Sequence, residues 1–222
     1  MRELEFGREG AAPGQGKRLV VLLHGYGADG ADLLGLAGPM GPHLPDTVFI
    51  APDAPNPCSG NPFGREWFPI PWLDGASEEA ARRGMARSVE DLDAFLDARM
   101  RQEGVGAADT LLLGFSQGTM MALHVAPRRA QPLAGVVGFS GRLLAPEALA
   151  AETRSRPPVL LIHGDQDQMV PPASMPEAAQ ALRQAGFTVS THVSAGTGHG
   201  IAPDGLGAAL GFIRRQFGLD SA

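Results

Sequence analysis

The pentapeptide Gly114-Phe115-Ser116-Gln117-Gly118 has the pattern G-x-S-x-G. Its neighbours matter more than the pattern itself. Residues 110–113 read as a short buried strand, and residues 117–126 read as a helix. A strand–turn–helix of this kind lifts a serine hydroxyl out of a sheet on a sharp turn, with glycines where side chains would collide with neighbouring elements. A serine hydroxyl is a poor nucleophile and needs a base, which in turn needs an orienting carboxylate. Four histidines follow Ser116: His124, His163, His192 and His199. His124 falls on the helix behind the serine, His163 precedes the only acid-bearing loop, and His192 falls within a strand. His199, in Gly196-Thr197-Gly198-His199-Gly200, lies in a glycine loop after the last strand, which can carry an imidazole back across the edge of a sheet. His199 is the expected base. The acid is expected within Gly164-Asp165-Gln166-Asp167, and spacing leaves Asp165 and Asp167 equivalent.

A second glycine motif points to different chemistry. Gly25-Tyr26-Gly27-Ala28-Asp29-Gly30 matches G-x-G-x-x-G after a buried strand, and Asp53 stands near the place of a ribose-binding acid. A dinucleotide fingerprint should open a sturdy helix whose N-terminus holds the pyrophosphate. Gly35, Gly38 and Pro39 leave room for only about two turns here. A nucleotide-dependent oxidoreductase is therefore the distant alternative, beside a catalytically silent binding protein. An Asp165–Asp167 metal site lacks the neighbouring Glu or His needed to complete a shell.

The elements that must position these residues follow a regular alternation. Short β-rich apolar runs recur at 19–23, 48–51, 110–113, 134–139, 159–162 and 188–193, of a length suited to strands buried on both faces. Helices are expected at 78–103, 117–126, 175–185 and 205–217. The first has Ser77 as N-cap, Glu78 and Glu79 at its positive end and Gly104 as its stop. Its apolar residues Met85, Val89, Leu92, Leu96 and Met100 form one stripe. The expected fold is α/β, with a mostly parallel sheet covered on both faces. With 222 residues, 44% of them hydrophobic, the chain is expected to form one domain over residues 1–222, without a large cap domain. Residues 52–76 break the alternation and carry Phe63, Trp67, Phe68 and Trp72. They read as a long loop walling a binding cleft. A net charge of −6 with no basic run longer than two residues speaks against nucleic acid as a partner. A single cysteine, Cys58, excludes an intrachain disulfide. No apolar run resembles a signal peptide or spans a bilayer, so a cytoplasmic location is expected.

Four segments taken together resemble the phospholipase/carboxylesterase family of small α/β-hydrolases, which includes bacterial carboxylesterases and acyl-protein thioesterases. They are Leu23-His24-Gly25-Tyr26-Gly27, Gly114-Phe115-Ser116-Gln117-Gly118, His163-Gly164-Asp165-Gln166-Asp167-Gln168-Met169-Val170-Pro171 and Gly198-His199-Gly200. The resemblance runs from about residue 19 to 217. It implies an α/β-hydrolase fold, Ser116 as nucleophile, His199 as base and Asp167, three residues before Val170-Pro171, as acid. Thr119 and Tyr26 depart from the family pattern, where glycine and leucine are common.

The roles implied by this resemblance make the chain a serine carboxylesterase acting on short- to medium-chain acyl esters, with a thioesterase or lysophospholipase as the alternative. The backbone N–H groups of Tyr26 and Gln117 are the expected oxyanion donors. Activity is expected to rise with pH through roughly 6–7 as His199 loses its proton. Phe63, Trp67, Phe68 and Met169 are candidates for the acyl pocket, so Trp67→Ala is expected to shift chain-length preference. No cofactor or metal is called for. The expected partner is a small-molecule acyl ester or thioester, and a homodimer is left open.

Overall fold

The computed structural model describes residues 1–220. Seven strands form one sheet in the order β1-β3-β2-β6-β7-β8-β9: β1 (Phe6–Gly10), β2 (Arg18–Leu23), β3 (Thr47–Pro52), β6 (Thr110–Phe115), β7 (Gly135–Phe139), β8 (Val159–Gly164) and β9 (Val189–Ser194). All neighbours pair in parallel except β1 with β3. The alternation predicts such a mostly parallel α/β sheet, and the resemblance narrows it to an α/β-hydrolase. Strand β1, with no apolar run to announce it, is held by its antiparallel ladder from Phe6–Pro52 to Gly10–Val48. The Arg8 guanidinium adds a two-pronged ion pair to Glu103, both bonds 2.8 Å long.

Alternation along the inner strands divides the core in two. From β2, Leu19, Val21 and Leu23 pack with Leu92 and Leu96 of α4 (Glu78–Glu103), Met121 and Val125 of α5 (Gln117–Arg128) and Leu182 of α7 (Ser174–Gln184). Val20 and Leu22 face the other way, onto Leu33 of α1 (Gly30–Leu34), Met40 of α2 (Ala37–Met40) and Ile213 of α8 (Pro203–Gln216). Helices thus cover both faces, which is why the inner strands read as continuous apolar runs. Helix α4 starts where Ser77 accepts the Ala80 N–H at 3.1 Å and ends at left-handed Gly104. Residues 52–76 are not the unstructured loop expected. They contain a hairpin, β4 (Asn56–Cys58) with β5 (Asn61–Glu66), and the short helix α3 (Pro71–Asp74). Helix α6 (Pro146–Glu152) completes the set.

Candidate active site

Parallel strands deliver their following loops to one edge of the sheet, and crevices there are the usual binding places in open α/β sheets. The loops after β2, β6, β8 and β9 meet at that edge. Ser116 sits between β6 and α5 with φ 52° and ψ −114°, a left-handed value uncommon for a residue other than glycine. The turn closes only because Gly118 lies against β2. A side chain there would overlap the Leu23 carbonyl oxygen. Thr119, the departure from the family pattern, fits because Gly138 and Gly141 leave space for its Cβ and methyl. Its hydroxyl lies 2.8 Å from the carbonyl oxygens of both Gly114 and Phe139, stitching the turn to β7.

His199 Nε2 is 3.0 Å from Ser116 Oγ, and its Nδ1 is 2.7 Å from Asp167 Oδ2. The carboxylate of Asp167 is fully buried, and its Oδ1 accepts the backbone N–H groups of Met169 and Val170, each at 2.9 Å. Burial is the largest influence on its pKa and pushes it up. The bonds from His199 and the two N–H groups together outweigh burial and hold it below the usual carboxylate range. Asp165, which spacing left equivalent, instead accepts the Gly196 N–H at 2.7 Å and tethers the loop that carries His199. Away from this relay, His192 pairs with Asp204 at 2.8 Å and His124 is partly buried on α5.

The loop after β2 is braced from below. The His24 ring is buried; its Nε2 accepts the Ala54 N–H at 2.9 Å and its Nδ1 bonds the Gly25 carbonyl at 2.7 Å, so the proton sits on Nδ1. Burial lowers the pKa of this ring, in keeping with its neutral form. The hairpin grips the same loop: Gly27 N–H donates to the Arg65 carbonyl at 2.9 Å and Arg65 N–H to the Ala28 carbonyl at 2.7 Å. The Tyr26 N–H donates to no acceptor among the described residues, and Gly25 abuts Ser116. Asp53 accepts the Gly30 N–H at 2.8 Å, and the helix behind it spans only five residues, so the G-x-G-x-x-G segment serves as a turn beside Ser116.

Ser116 and His199 open onto a cleft of about 170 Å³ walled by Ile70, Trp72, Leu73, Phe115, Met120, Met169 and Val170, with Asp32 at its rim. A larger groove of about 730 Å³, lined by Arg101, Arg128 and Arg154, shares no residue with it. Of the four expected pocket residues, only Met169 lines the cleft. Trp67 is fully buried, its indole N–H donating to the His24 carbonyl at 3.0 Å; Phe68 is also buried, and Phe63 is 92% exposed on the hairpin. Trp72 occupies the place intended for Trp67. The side chain of Gln117 has a role that no pattern in the sequence signals. It is buried, accepts the Trp67 N–H at 2.8 Å and donates to the Phe68 carbonyl at 2.7 Å.

Residues 11–217 match the phospholipase/carboxylesterase family model. The chain is 30% identical over 202 residues to esterase YpfH of Escherichia coli (strain K12), covering 89% of this chain and 82% of that protein. It is 28% identical over 184 residues to acyl-protein thioesterase 1 of Gibberella zeae, covering 78% of each. The crystal structure of esterase PE8 superposes with a TM-score of 0.91 at 47% identity, over 96% of this chain and 99% of that one. With fold, site geometry and sequence in agreement, this chain is a hydrolase that belongs to the phospholipase/carboxylesterase family.

Proposed function

We propose that the chain is a serine carboxylesterase that hydrolyses short- to medium-chain acyl esters through an acyl-enzyme. The observation that carries this reading is the unbroken relay from Ser116 Oγ to His199 at 3.0 Å and from His199 to Asp167 at 2.7 Å. His199 takes the Ser116 proton as Oγ adds to the ester carbonyl, and Asp167 holds the tautomer and stabilises the imidazolium. The backbone N–H groups of Tyr26 and Gln117 receive the oxyanion. His199 then returns the proton to the departing alkoxide, and water attacks the acyl-enzyme by the same route. The small cleft with Trp72 and Met169 at its wall suits a modest acyl chain. The same groups would cleave a thioester, and the match to an acyl-protein thioesterase favours that as the second reading.

Hydrolysis of p-nitrophenyl acetate through decanoate, and of the corresponding acyl thioesters, by the wild type and Ser116→Ala tests both readings. Activity lost in the variant with folding retained, and a fluorophosphonate probe that labels only the wild type, support Ser116 as nucleophile. Equal activity in the two proteins overturns it. The ratio of ester to thioester turnover decides between the two substrate classes.

A further inference from the structure

His163 precedes the acid loop in sequence, yet its ring lies against the acid. It is the penultimate residue of β8, it is 2% exposed, and its Nε2 is 3.0 Å from the Val170 carbonyl oxygen and 3.2 Å from Asp167 Oδ2. Both neighbours are acceptors, so Nε2 carries the proton. That proton is directed at Val170, with the carboxylate oxygen as a second acceptor, and Val170 returns its own N–H to Asp167 Oδ1 at 2.9 Å. One imidazole therefore ties down the turn that supplies backbone donors to Asp167. The same imidazole places a further N–H beside the oxygen that faces His199.

We infer that His163 is a positioning residue for the reaction: its Nε2–H holds the 167–170 turn and the Asp167 carboxylate so that Oδ2 stays on His199 Nδ1. This inference rests on the Ser116–His199–Asp167 reading. A carboxylate with fewer donors is more basic and holds a neighbouring imidazolium more strongly. Loss of the His163 donor should therefore move the acidic limb of the rate profile to higher pH. Charged groups on the surrounding elements include Asp165, occupied by Gly196 N–H, the His192–Asp204 pair, Asp32 lining the cleft, Glu177 and Arg183 of α7, and Arg214 and Arg215 of α8.

The test compares His163→Phe, which keeps a ring without a donor, with His163→Gln, whose amide nitrogen reaches the place of Nε2. The readout is the pH profile of kcat/KM on p-nitrophenyl butyrate, with kcat and KM separated. Expected for His163→Phe is a fall in kcat of about tenfold to a hundredfold at little-changed KM, the range for a hydrogen bond near a charge. The acidic limb of the profile should move up, and His163→Gln should return it towards the wild-type position. A limb that stays in place in both variants overturns the inference, even if the melting temperature falls, because a purely structural histidine would change stability alone. Should His163→Phe not fold, His163→Asn, too short to reach Asp167, takes its place. Ser116→Ala run in parallel separates the failures: if it still hydrolyses ester, the triad reading fails, and if it is inactive while the limb stays put, only the role of His163 fails.

Discussion

The backbone N–H of Trp67 donates to the side-chain oxygen of Gln117 at 2.8 Å, while the amide nitrogen of Gln117 donates to the Phe68 carbonyl at 2.7 Å. The residue directly after Ser116 thus uses its side chain to fasten the segment that follows the hairpin. Replacement by Leu keeps the size but strands a buried N–H and a buried C=O, each costing about 1–3 kcal/mol. Gln117→Leu is expected to lower the melting temperature by roughly 5–15 °C, with each kcal/mol worth a few degrees in a chain of this size. Differential scanning calorimetry measures it. An unchanged melting temperature would mean that the two backbone groups find other partners.

Trp67 and Trp72 should separate cleanly. The Trp67 indole is inside the core and bonded to His24, so Trp67→Ala should cost about 3–5 kcal/mol of stability. It should not change relative rates along a C2–C10 ester series, contrary to the expectation from sequence. Trp72, 68% exposed at the wall of the cleft, should do the opposite. Trp72→Ala and Met169→Ala are expected to leave the melting temperature within a degree or two and to move the preferred acyl length. Chain-length profiles of the three variants, each normalised to acetate, provide the check.

These two tryptophans mark where reading the sequence succeeds and where it stops. Order and spacing along the chain put Ser116 and His199 on loops that the structure brings to 3.0 Å, because parallel strands all deliver their C-terminal ends to one edge. Apolar runs mark the five inner strands because burial on both faces leaves a continuous signature, whereas the edge strand β9 is mostly exposed or half-buried and is marked by its β-rich residue types. Nothing of the kind marks β1, whose five residues are held by a ladder and an ion pair. Aromatic richness at 52–76 says that rings are buried there without saying which ring faces the core and which the cleft. Asp165 and Asp167 stand two apart in one loop, and only the path of the returning chain assigns one to Gly196 and the other to His199. The side-chain roles of Gln117 and His163 depend on partners 50 and 7 residues away, beyond the reach of any local pattern.

The hairpin also braces the loop after β2. Gly64 lies so close to Gly27 that a Cβ would overlap its carbonyl oxygen and neighbouring atoms. Gly64→Ala must push β5 outward and weaken the two bonds between Arg65 and residues 27 and 28. Tyr26 would then lose its fixed backbone direction while Ser116, His199 and Asp167 remain in place. The expected outcome is a fall in kcat approaching the 10²–10³-fold typical of losing one oxyanion donor. Far-UV circular dichroism should be unchanged. Steady-state kinetics on acetate and butyrate esters reads the effect, and full activity would detach the hairpin from catalysis.

Acid stability should carry the signature of His124. Burial, and after it the Arg128 guanidinium, lower the pKa of this imidazole from 6.5 to about 4. Its Nδ1 is buried with no hydrogen-bond partner among the described residues. The unfolded chain binds a proton here near pH 6.5, and the folded chain does so only near pH 4. Folding stability therefore falls as pH drops through this window and levels off below it. Urea unfolding at pH 7.5, 6, 5 and 4 should show a steeper decline for the wild type than for His124→Gln, which has no charge to gain. Because His124 lies on the helix behind Ser116 and makes no contact with the cleft, the variant should hydrolyse esters at the wild-type rate at pH 7.5. Parallel stability curves would mean that His124 is hydrated and titrates near its ordinary value.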